Sequence, residues 1–324
     1  MGSRLAVVLV VVGLFFAASA LAQPYTLNAG HGAMTEHPTH FGLLRLAEIV
    51  EERSDGQLII EVFPDRQLGE EREMVEGLQL GTVDMTVVST GPLGGFVPEI
   101  NVVDLPFLFN DSVHAYGVLD GPIGDELLAR FADVGIIGAA FWENGWRHLT
   151  TNRQVDGPDD LAGLNIRTME NQVHMDSFRA LGTSPTPMVW GEVYTSLEQG
   201  IIEAQENPIT VIYTNNLWEV QDYTYLTGHF YGPHVALISE QTLQQLPDDL
   251  QQLLIDATRE VAAYQRAVSA QLEAEQIESL REQGMEIVEV DPTPFREAAM
   301  DVYGEYGEEF GQDLIDRILS AAGQ

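Results

Sequence analysis

The chain has 324 residues, of which 45% are hydrophobic and 20% charged, a composition typical of a globular protein of about two domains. Fifty acidic residues outnumber 15 basic ones, all of them arginine, so the formal net charge is −35 and no basic surface is available for nucleic acid or anionic lipid. The absence of cysteine excludes disulfides, thiolate metal sites and cysteine nucleophiles.

The N-terminal segment predicts export. Arg4 precedes an apolar run over residues 5–16, and the small residues that follow end in Ala20-Leu21-Ala22, a cleavage pattern. We therefore predict a secretory signal peptide at 1–22 and an exported mature protein. The alternative, an uncleaved membrane anchor, is disfavoured because the apolar stretch is marginal for a span of about 20 residues.

The first part of the mature chain alternates strand and helix patterns, which is typical of α/β architecture. The predicted elements are a strand at Tyr25–Ala29, a loop at Gly30–Thr39, a helix at Phe41–Arg53, a strand at Leu58–Phe63, a helix at Glu70–Gly81 and a strand at Val83–Ser89. This βαβαβ order predicts a compact α/β half. In such a half, ligands bind beyond the carboxyl ends of the strands.

A second unit follows a Gly- and Pro-rich crossover at Gly91–Pro106, predicted as loop or short strand. The predicted elements are helices at Ser112–Leu119 and Asp125–Val134, a strand at Ile136–Trp142, a loop at 143–145, strands at Arg147–Thr151 and Leu164–Thr168, a helix at Val173–Leu181, a strand at Thr186–Val189, a helix at Glu192–Gln199 and a strand at Ile201–Gln205. A strand at Val235–Ser239 is predicted to return to the first half.

A long helix is predicted at Asp248–Gln283, because this stretch lacks Gly and Pro and its apolar residues recur at helical spacing. At about 1.5 Å per residue it measures on the order of 50 Å and must touch both halves. The alternative is two helices separated by a kink. After Pro292 and Pro294 a final pair of short helices is predicted.

The usual enzymatic motifs are absent: the sequence has no G-x-S-x-G, no G-x-x-x-x-G-K and no H-E-x-x-H. Two alternatives remain open on residue type alone. Glu203 and Glu206 are a candidate acid/base pair for an enzyme acting on acidic sugars. His31, His37 and His40 are candidates for metal capture, although Pro38 breaks the regular helical spacing between the last two.

Two arginines occupy positions where α/β proteins bind ligands. Arg147 follows the predicted 143–145 loop, and Arg167 ends a short strand just before a helix. A guanidinium offers two parallel N–H donors that match a carboxylate. Asn207 also stands at a strand end, where Pro208 keeps it out of a helix. Trp190 closes a predicted strand and is a candidate to cover a bound ligand.

Several segments together resemble the solute-binding proteins of tripartite ATP-independent periplasmic (TRAP) transporters, the DctP family. The resemblance rests on Gly163-Leu164-Asn165-Ile166-Arg167, Pro185-Thr186-Pro187-Met188 with Glu192-Val193-Tyr194, Gln205-Glu206-Asn207-Pro208, Leu68-Gly69-Glu70 and Asp104-Leu105-Pro106-Phe107. It implies a two-domain periplasmic binding protein fold of the α/β class, with mixed, mostly parallel sheets and a long hinge-spanning helix. It also implies a binding protein rather than an enzyme, without cofactor, catalytic residues or metal.

By that resemblance, Arg167 pairs with the substrate carboxylate, Arg147 supports it, Asn207 hydrogen-bonds the ligand and Trp190 packs over it. The resemblance further implies that His31, Glu71, Ser89 and Thr90 tune selectivity. Sialic-acid binders carry an acid where this chain has Ser89, which argues against that substrate. The expected ligand is a small organic acid, either a sugar acid or uronate or a hydroxy acid.

The resemblance also predicts a division of the chain and its partners. One ligand-binding domain is expected at 23–144 with 233–273, and the other at 145–232 with 274–324. The expected partners are the carboxylate ligand and TRAP membrane permease subunits, with a monomeric state and no nucleic acid. The excess of acids without lysine is interpreted as adaptation to a saline exterior, because at roughly 1 M salt the Debye length is about 3 Å and only charges in contact with the ligand act on it.

Overall fold

The computed structural model describes residues 23–321, and the predicted signal peptide lies outside that range. The strands in this range are β1 (Tyr25–His31), β2 (Leu58–Phe63), β3 (Met85–Ser89), β4 (Ile136–Thr151), β5 (Asn165–Thr168), β6 (Ser184–Pro187), β7 (Ala204–Asn207), β8 (Tyr223–Ser239) and β9 (Glu286–Val288). They form one mixed sheet in the order β2-β1-β3-β8-β4-β7-β5-β6, and β9 pairs with β8.

Twelve α-helices surround the sheet within the described residues. They are α1 (Pro38–Arg53), α2 (Glu71–Leu80), α3 (Ser112–Leu119), α4 (Pro122–Ala129), α5 (Gln172–Ala180), α6 (Val193–Glu198), α7 (Ile209–Thr214), α8 (Glu240–Leu243), α9 (Asp248–Glu282), α10 (Thr293–Ala299), α11 (Val302–Glu309) and α12 (Gln312–Ser320). Short 3₁₀ helices include Gly91–Gly95, Pro98–Asp104, Arg130–Val134 and Trp190–Glu192. No helix between residues 23 and 321 is both long enough and apolar enough to span a membrane.

The sheet has two parallel flanks joined by two long antiparallel strands. On one flank β1 pairs in parallel with β2 and β3, and on the other β5 pairs in parallel with β6 and β7. Between them β4 and β8 run antiparallel along the length of the molecule. We call the β1–β3 flank with α1 and α2 the first lobe, and the β5–β7 flank with α5 to α7 the second lobe. The predicted fold class, two α/β units with a mixed, mostly parallel arrangement, is confirmed.

The two long strands correct the prediction. The 143–145 segment, predicted as a loop, lies inside β4, and β8 begins at Tyr223 rather than at Val235. Register shifts interrupt the β4–β8 pairing, one of them between Glu143 and Gly145, where Gly145 has a φ of 126°. Such bulges bend a strand without ending it, which lets β4 pass from one lobe to the other.

Helix α1 begins earlier than predicted. The Gly30–Thr39 loop prediction is wrong at its end, because the helix starts at Pro38 with His37 as its N-cap. Proline is favoured at the first helical position, and the His37 side chain accepts a hydrogen bond from the backbone N–H of Thr39. This cap fixes the His37 ring at the end of the helix that faces the second lobe.

Helix α9 is one continuous helix of 35 residues, as predicted, and the kinked alternative is wrong. Its N-terminal portion, with Leu254 and Val261, packs in the hydrophobic core that contains α1 and β1. Its C-terminal Leu280 packs in a different core with Val193 of α6 and Ile209 of α7. The helix therefore joins the cores of both lobes.

The C-terminal segment forms three helices instead of the predicted pair. Phe295 of α10 packs in the core of the second lobe with Phe178, whereas Ile318 of α12 packs with the core that contains α2 to α4. The Ile318 carbonyl also lies 2.8 Å from His114 Nε2. The predicted division of the chain into two discontinuous domains stays a prediction.

Candidate ligand-binding site

A cavity of about 60 Å³ lies between the two lobes, beyond the ends of β1, β3 and β5. Six of the eight predicted site residues line it: His31, Glu71, Ser89, Arg167, Trp190 and Asn207. Arg147 and Thr90 do not. The structure therefore brings together most of the predicted site and places two of its members elsewhere.

The lobes are in contact across this cavity. The backbone N–H of Gly191 donates to the Glu70 carboxylate, and a Cβ on Gly191 would lie only 2.5 Å from Glu70 Oε1. His37 Nε2 lies 3.2 Å from Thr210 Oγ1. Because His37 Nδ1 already accepts from Thr39, Nε2 carries the proton of the neutral ring and donates to Thr210. The cleft is closed.

Arg167 is the one buried arginine without a carboxylate partner in the described part of the chain. Its Nε and one terminal nitrogen donate to the Met188 carbonyl at 2.9 and 2.7 Å. Twelve of the fourteen arginines in residues 23–321 lie within 4.0 Å of a carboxylate oxygen, and the two exceptions are buried Arg167 and exposed Arg296. Burial, reinforced by nearby Arg147 and opposed by Glu206, lowers the pKa of Arg167 to about 10, so it remains a cation at neutral pH.

Trp190 lies beside this guanidinium. The Arg167 Cζ is 5.5 Å from the centre of the Trp190 ring, a cation–π distance. Trp190 begins a 3₁₀ turn after β6 rather than closing a strand, because β6 ends at Pro187 and not at Val189. Its indole N–H donates to Asn215 Oδ1 at 3.4 Å. The ring thus covers the cation from the side of the second lobe.

Glu71 and Ser89 form a hydrogen-bonded pair on the opposite wall. The backbone N–H and the hydroxyl of Ser89 both donate to Glu71 Oε1, at 2.8 and 3.0 Å. Burial raises the pKa of Glu71, and the two Ser89 bonds and the positive charge of Arg167 oppose that rise. One oxygen of Glu71 is therefore engaged by the protein itself.

Three buried histidines supply a neutral polar wall. His31 Nε2 is hydrogen-bonded to His40 Nδ1 at 3.0 Å, and His234 Nδ1 lies 2.9 Å from Thr39 Oγ1. Burial lowers the pKa of His31 and of His37 to about 3, with neighbouring histidines adding to the effect at His31, and burial also lowers the pKa of His234. All three are uncharged at neutral pH, so they offer hydrogen bonds to the cavity without adding charge.

The predicted metal alternative fits this arrangement poorly. The facing nitrogens of His31 and His40 bond each other, and both nitrogens of His37 bond Thr39 and Thr210. Within residues 23–321 no group of three or more His, Asp or Glu side chains is arranged to hold a metal ion.

Asparagine amides complete the cavity, and sequence reasoning identified only one of them. Asn207 donates to Gln205 Oε1 at 2.6 Å and presents the rest of its amide to the cavity. Asn144 and Asn215 also line it. The Asn144 Oδ1 is buried beside His37 without a well-formed hydrogen bond. Asn144 could have been predicted as a site residue because it follows the end of a predicted strand, but no sequence pattern indicated Asn215.

Arg147 is already neutralised. Its guanidinium is 1% exposed and binds both oxygens of Glu206, with Nε 2.5 Å from Oε2 and a terminal nitrogen 2.8 Å from Oε1. Burial would raise the pKa of Glu206, but Arg147 and His229 hold it well below its ordinary value. A carboxylate fixed in its charged form by an arginine cannot serve as a general acid, and Glu203 bonds the exposed Arg153 instead.

These features define a class. Two long strands and one long helix join the two α/β lobes, which close over a small cavity. This cavity contains a buried arginine that has no carboxylate partner among residues 23–321. Such an arrangement is typical of a periplasmic-type solute-binding protein.

Comparison with known proteins gives the family. Residues 29–309 match the model of DctP, the bacterial extracellular solute-binding protein family 7, and the chain belongs to this family. Its members are the substrate-binding proteins of TRAP transporters, located in the periplasm, which bind small carboxylates and act with membrane permeases. The chain is a solute-binding protein of the same kind.

Three relatives illustrate the similarity. The 2,3-diketo-L-gulonate-binding periplasmic protein YiaO of Escherichia coli is 36% identical over 285 residues, 87% of this chain and 87% of the relative. A TRAP solute-binding protein from Polaromonas sp JS666 bound to D-erythronate has a TM-score of 0.90 at 39% identity and covers 93% of this chain and 100% of its own. A Bordetella protein with density assigned to pantoate has a TM-score of 0.90 at 42% identity and covers 92% of this chain and 100% of its own.

Proposed function

We propose that this protein captures a short hydroxy acid in the periplasm and delivers it to a TRAP membrane permease, without catalysing a reaction. The observation that carries this proposal is the buried Arg167, a cation without a carboxylate partner among residues 23–321, at the wall of a closed cavity. A buried charge is stable only when it is paired. A ligand carboxylate supplies that pair.

The walls around Arg167 favour a hydroxylated ligand. His31 and His234 are neutral, and together with the Asn144 and Asn207 amides they can donate to or accept from hydroxyl groups. His31 Nδ1 is buried without a hydrogen-bond partner among the described residues. A ligand hydroxyl would satisfy it, because buried polar groups left unpaired are costly.

The size of the cavity favours a short acid. Its volume of about 60 Å³ is well below the roughly 300–1,000 Å³ of pockets that hold drug-sized ligands. Two relatives of known structure near 40% identity contain D-erythronate and density assigned to pantoate, both short hydroxy acids, whereas a galactonate-bound relative is 33% identical. Both observations support a short hydroxy acid over a longer sugar acid or a uronate.

The proposal extends to the setting in which the protein works. A signal peptide at 1–22 would bring it to the periplasm, where we expect it to act as a monomer beside its permease. Closure of the two lobes over the ligand would be the signal that the permease recognises. The acidic composition fits a saline periplasm, since salt screens the repulsion between distant acidic residues and an anionic ligand but not the attraction of Arg167 for a carboxylate in contact with it.

A binding panel tests this function. D-erythronate, pantoate, galactonate, D-glucuronate and succinate are titrated calorimetrically, and the short hydroxy acids are expected to bind most tightly. Arg167→Met should weaken their binding about 10- to 150-fold, the equivalent of one charge-assisted hydrogen bond. The matched control is Arg296→Met, which removes the other unpaired arginine, outside the cavity, and should leave affinity unchanged.

Two results would contradict the proposal. Wild-type affinity in Arg167→Met would show that the anchor is elsewhere, and conversion of any acid in the panel to a product would favour the enzymatic alternative. Small-angle scattering gives an independent measurement. Saturation with ligand should compact the protein, and unchanged dimensions would argue against closure as the transport signal.

A further inference from the structure

The two predicted site residues that do not line the cavity belong to a second buried group behind it. We call this group the Asp104 cluster, and it consists of Thr90, Asp104, Asn171, His174, Glu206 and Arg147. Each of these side chains is between 0% and 2% exposed. The cluster runs from the end of β3 in the first lobe, past Arg147 on β4, to α5 and β7 in the second.

Asp104 is the member that receives bonds from both lobes. It ends the 3₁₀ helix Pro98–Asp104, whose apolar residues pack in the same core as α2. Its Oδ1 accepts from the Thr90 hydroxyl at 2.6 Å, and its Oδ2 accepts from the Asn171 amide at 2.8 Å. Both carboxylate oxygens are therefore used, one by each lobe.

Asn171 links Asp104 to the connection between β5 and α5, which follows Arg167. Its Oδ1 accepts from the backbone N–H of His174 at 3.1 Å, which caps α5. Its Nδ2 donates to Asp104, and its backbone N–H donates to the Met169 carbonyl at 2.8 Å. Met169 lines the ligand cavity. The short connection between β5 and α5 is thus held by a carboxylate of the first lobe.

His174 extends the cluster toward Arg147. Its ring stacks on Phe230, with 4.2 Å between ring centres, and it stands between two carboxylates: Nε2 is 3.7 Å from Asp104 Oδ1 and Nδ1 is 4.0 Å from Glu206 Oε1. Glu206 is in turn bound by Arg147. The orientation of α5 is therefore set from two sides.

We propose that Asp104 is a positioning residue for ligand binding, which fixes the β5–α5 connection and thereby aims Arg167 into the cavity. This inference rests on the proposed function, in which Arg167 binds the ligand carboxylate. Arg167 lies four residues before Asn171, so a shift of this connection moves the guanidinium relative to the first-lobe wall. Binding groups need such support, because small displacements weaken oriented contacts.

An exchange of the two side chains tests the proposal with D-erythronate as the probe. Asp104→Asn replaces one of the two acceptor oxygens with a donor, so the Thr90 and Asn171 donors can no longer both be satisfied as before, and Asn171→Asp sets two carboxylates together, so each should weaken binding roughly tenfold. The double variant Asp104→Asn with Asn171→Asp restores one carboxylate and one amide, reverses the bond between them and loses only the long 3.4 Å bond from Asn171 to the Gly91 carbonyl, so it should recover affinity to within about threefold. Thr90→Val, a milder change, should weaken binding about threefold.

A control separates positioning from general stability. Asp111 caps α3 by accepting from the His114 N–H at 2.8 Å, and it does not line the ligand cavity. Asp111→Ala should lower the melting temperature and leave the affinity for D-erythronate unchanged, whereas the Asp104 variants should change affinity as well.

The outcomes distinguish this inference from the proposed function. Weak binding by Arg167→Met together with wild-type affinity in Asp104→Asn and Thr90→Val overturns the positioning role and leaves the proposed function intact. Failure of the double variant to recover affinity also overturns it. Wild-type affinity in the Arg167→Met variant overturns both.

Discussion

Arg167 and Arg147 are both buried, but they lie in different regions of the molecule and differ in whether a carboxylate neutralises their charge. Arg147, on the central strand β4, is bound by both oxygens of Glu206. Arg167, at the end of β5, donates only to the Met188 carbonyl and to no carboxylate among residues 23–321. The resemblance assigns both arginines to the ligand, but the geometry leaves only Arg167 with an uncompensated charge.

The difference shows that pairing with a carboxylate, rather than burial or residue type, distinguishes the two arginines. An arginine and a glutamate in contact form a neutral unit that attracts an anion weakly. An arginine bonded only to a carbonyl keeps its full charge, and the low dielectric of the closed cleft strengthens its attraction for a carboxylate. Four measurements would test this difference between the two arginines.

The largest effect is expected from Arg147→Ala. Removing the arginine leaves Glu206 as a fully buried carboxylate without its cationic partner and with His229 as its remaining close contact, which costs about 3–5 kcal/mol of unfolding free energy. Urea denaturation measures the loss. Arg153→Ala breaks the exposed pair with Glu203 and should cost no more than about 1 kcal/mol. If both variants lost equally little, Arg147 would not be a structural arginine.

The next effect separates stability from affinity by pH. The pKa of His31, His37 and His148 is about 3 in the folded protein because of burial, against 6.5 for the ordinary side chain. As pH falls below 6.5 the unfolded chain takes up protons that the folded one does not, so stability is lost progressively toward pH 3. The slope is roughly 1 kcal/mol per pH unit for each histidine.

Affinity for D-erythronate should not follow this loss between pH 6.5 and pH 5. Across that range the three histidines stay neutral in the folded protein, and Arg167 stays charged. Denaturation and calorimetry at matched pH measure the two quantities. A parallel decrease in affinity would mean that the wall beside Arg167 takes up protons in the folded state, contrary to its burial.

Arg167→Met should have a smaller effect on stability, with the opposite sign to that of Arg147→Ala. It removes a buried charge that lacks a carboxylate partner, so without ligand the variant is expected to be more stable by about 1 kcal/mol. Thermal and urea unfolding of the ligand-free proteins measure this change. A loss of several kcal/mol would place Arg167 in the same structural role as Arg147.

The smallest effect concerns salt. Because Arg167 contacts its ligand in a buried site, raising the salt concentration from roughly 0.1 M to 1 M should change the dissociation constant for D-erythronate by less than about threefold. The association rate should rise instead, since salt screens the acidic surface that repels an anion. Stopped-flow kinetics measures both rates. A large loss of affinity with salt would indicate an exposed, loosely held anion site.

The sequence was sufficient for much of the fold but not for the long strands. Helical spacing located α9 almost to the residue. For β4, however, the sequence predicts two strands separated by a loop at 143–145, and for β8 it predicts only the portion from Val235 onward. Residues in these strands are buried on both faces, so no alternation of polar and apolar side chains marks them. Gly232 and Pro233, which usually end strands, lie inside β8.

The same long-range pairing explains what was missed in the site. Arg147 meets Glu206 because β4 pairs with β7 in the register that sets Leu149 beside Glu206. Neither residue type nor local spacing indicates which residues of β4 and β7 lie opposite each other. Arg167 was identified more readily because its position, at the end of a short strand before a helix, is a local feature of the sequence.

A crystal structure of the protein with the tightest-binding acid of the panel tests the central claim most directly. The account predicts that the ligand carboxylate lies against the Arg167 guanidinium, within hydrogen-bond distance, while Arg147 keeps both bonds to Glu206. A carboxylate bound to Arg147 with Glu206 displaced, or one bound away from Arg167, would contradict it.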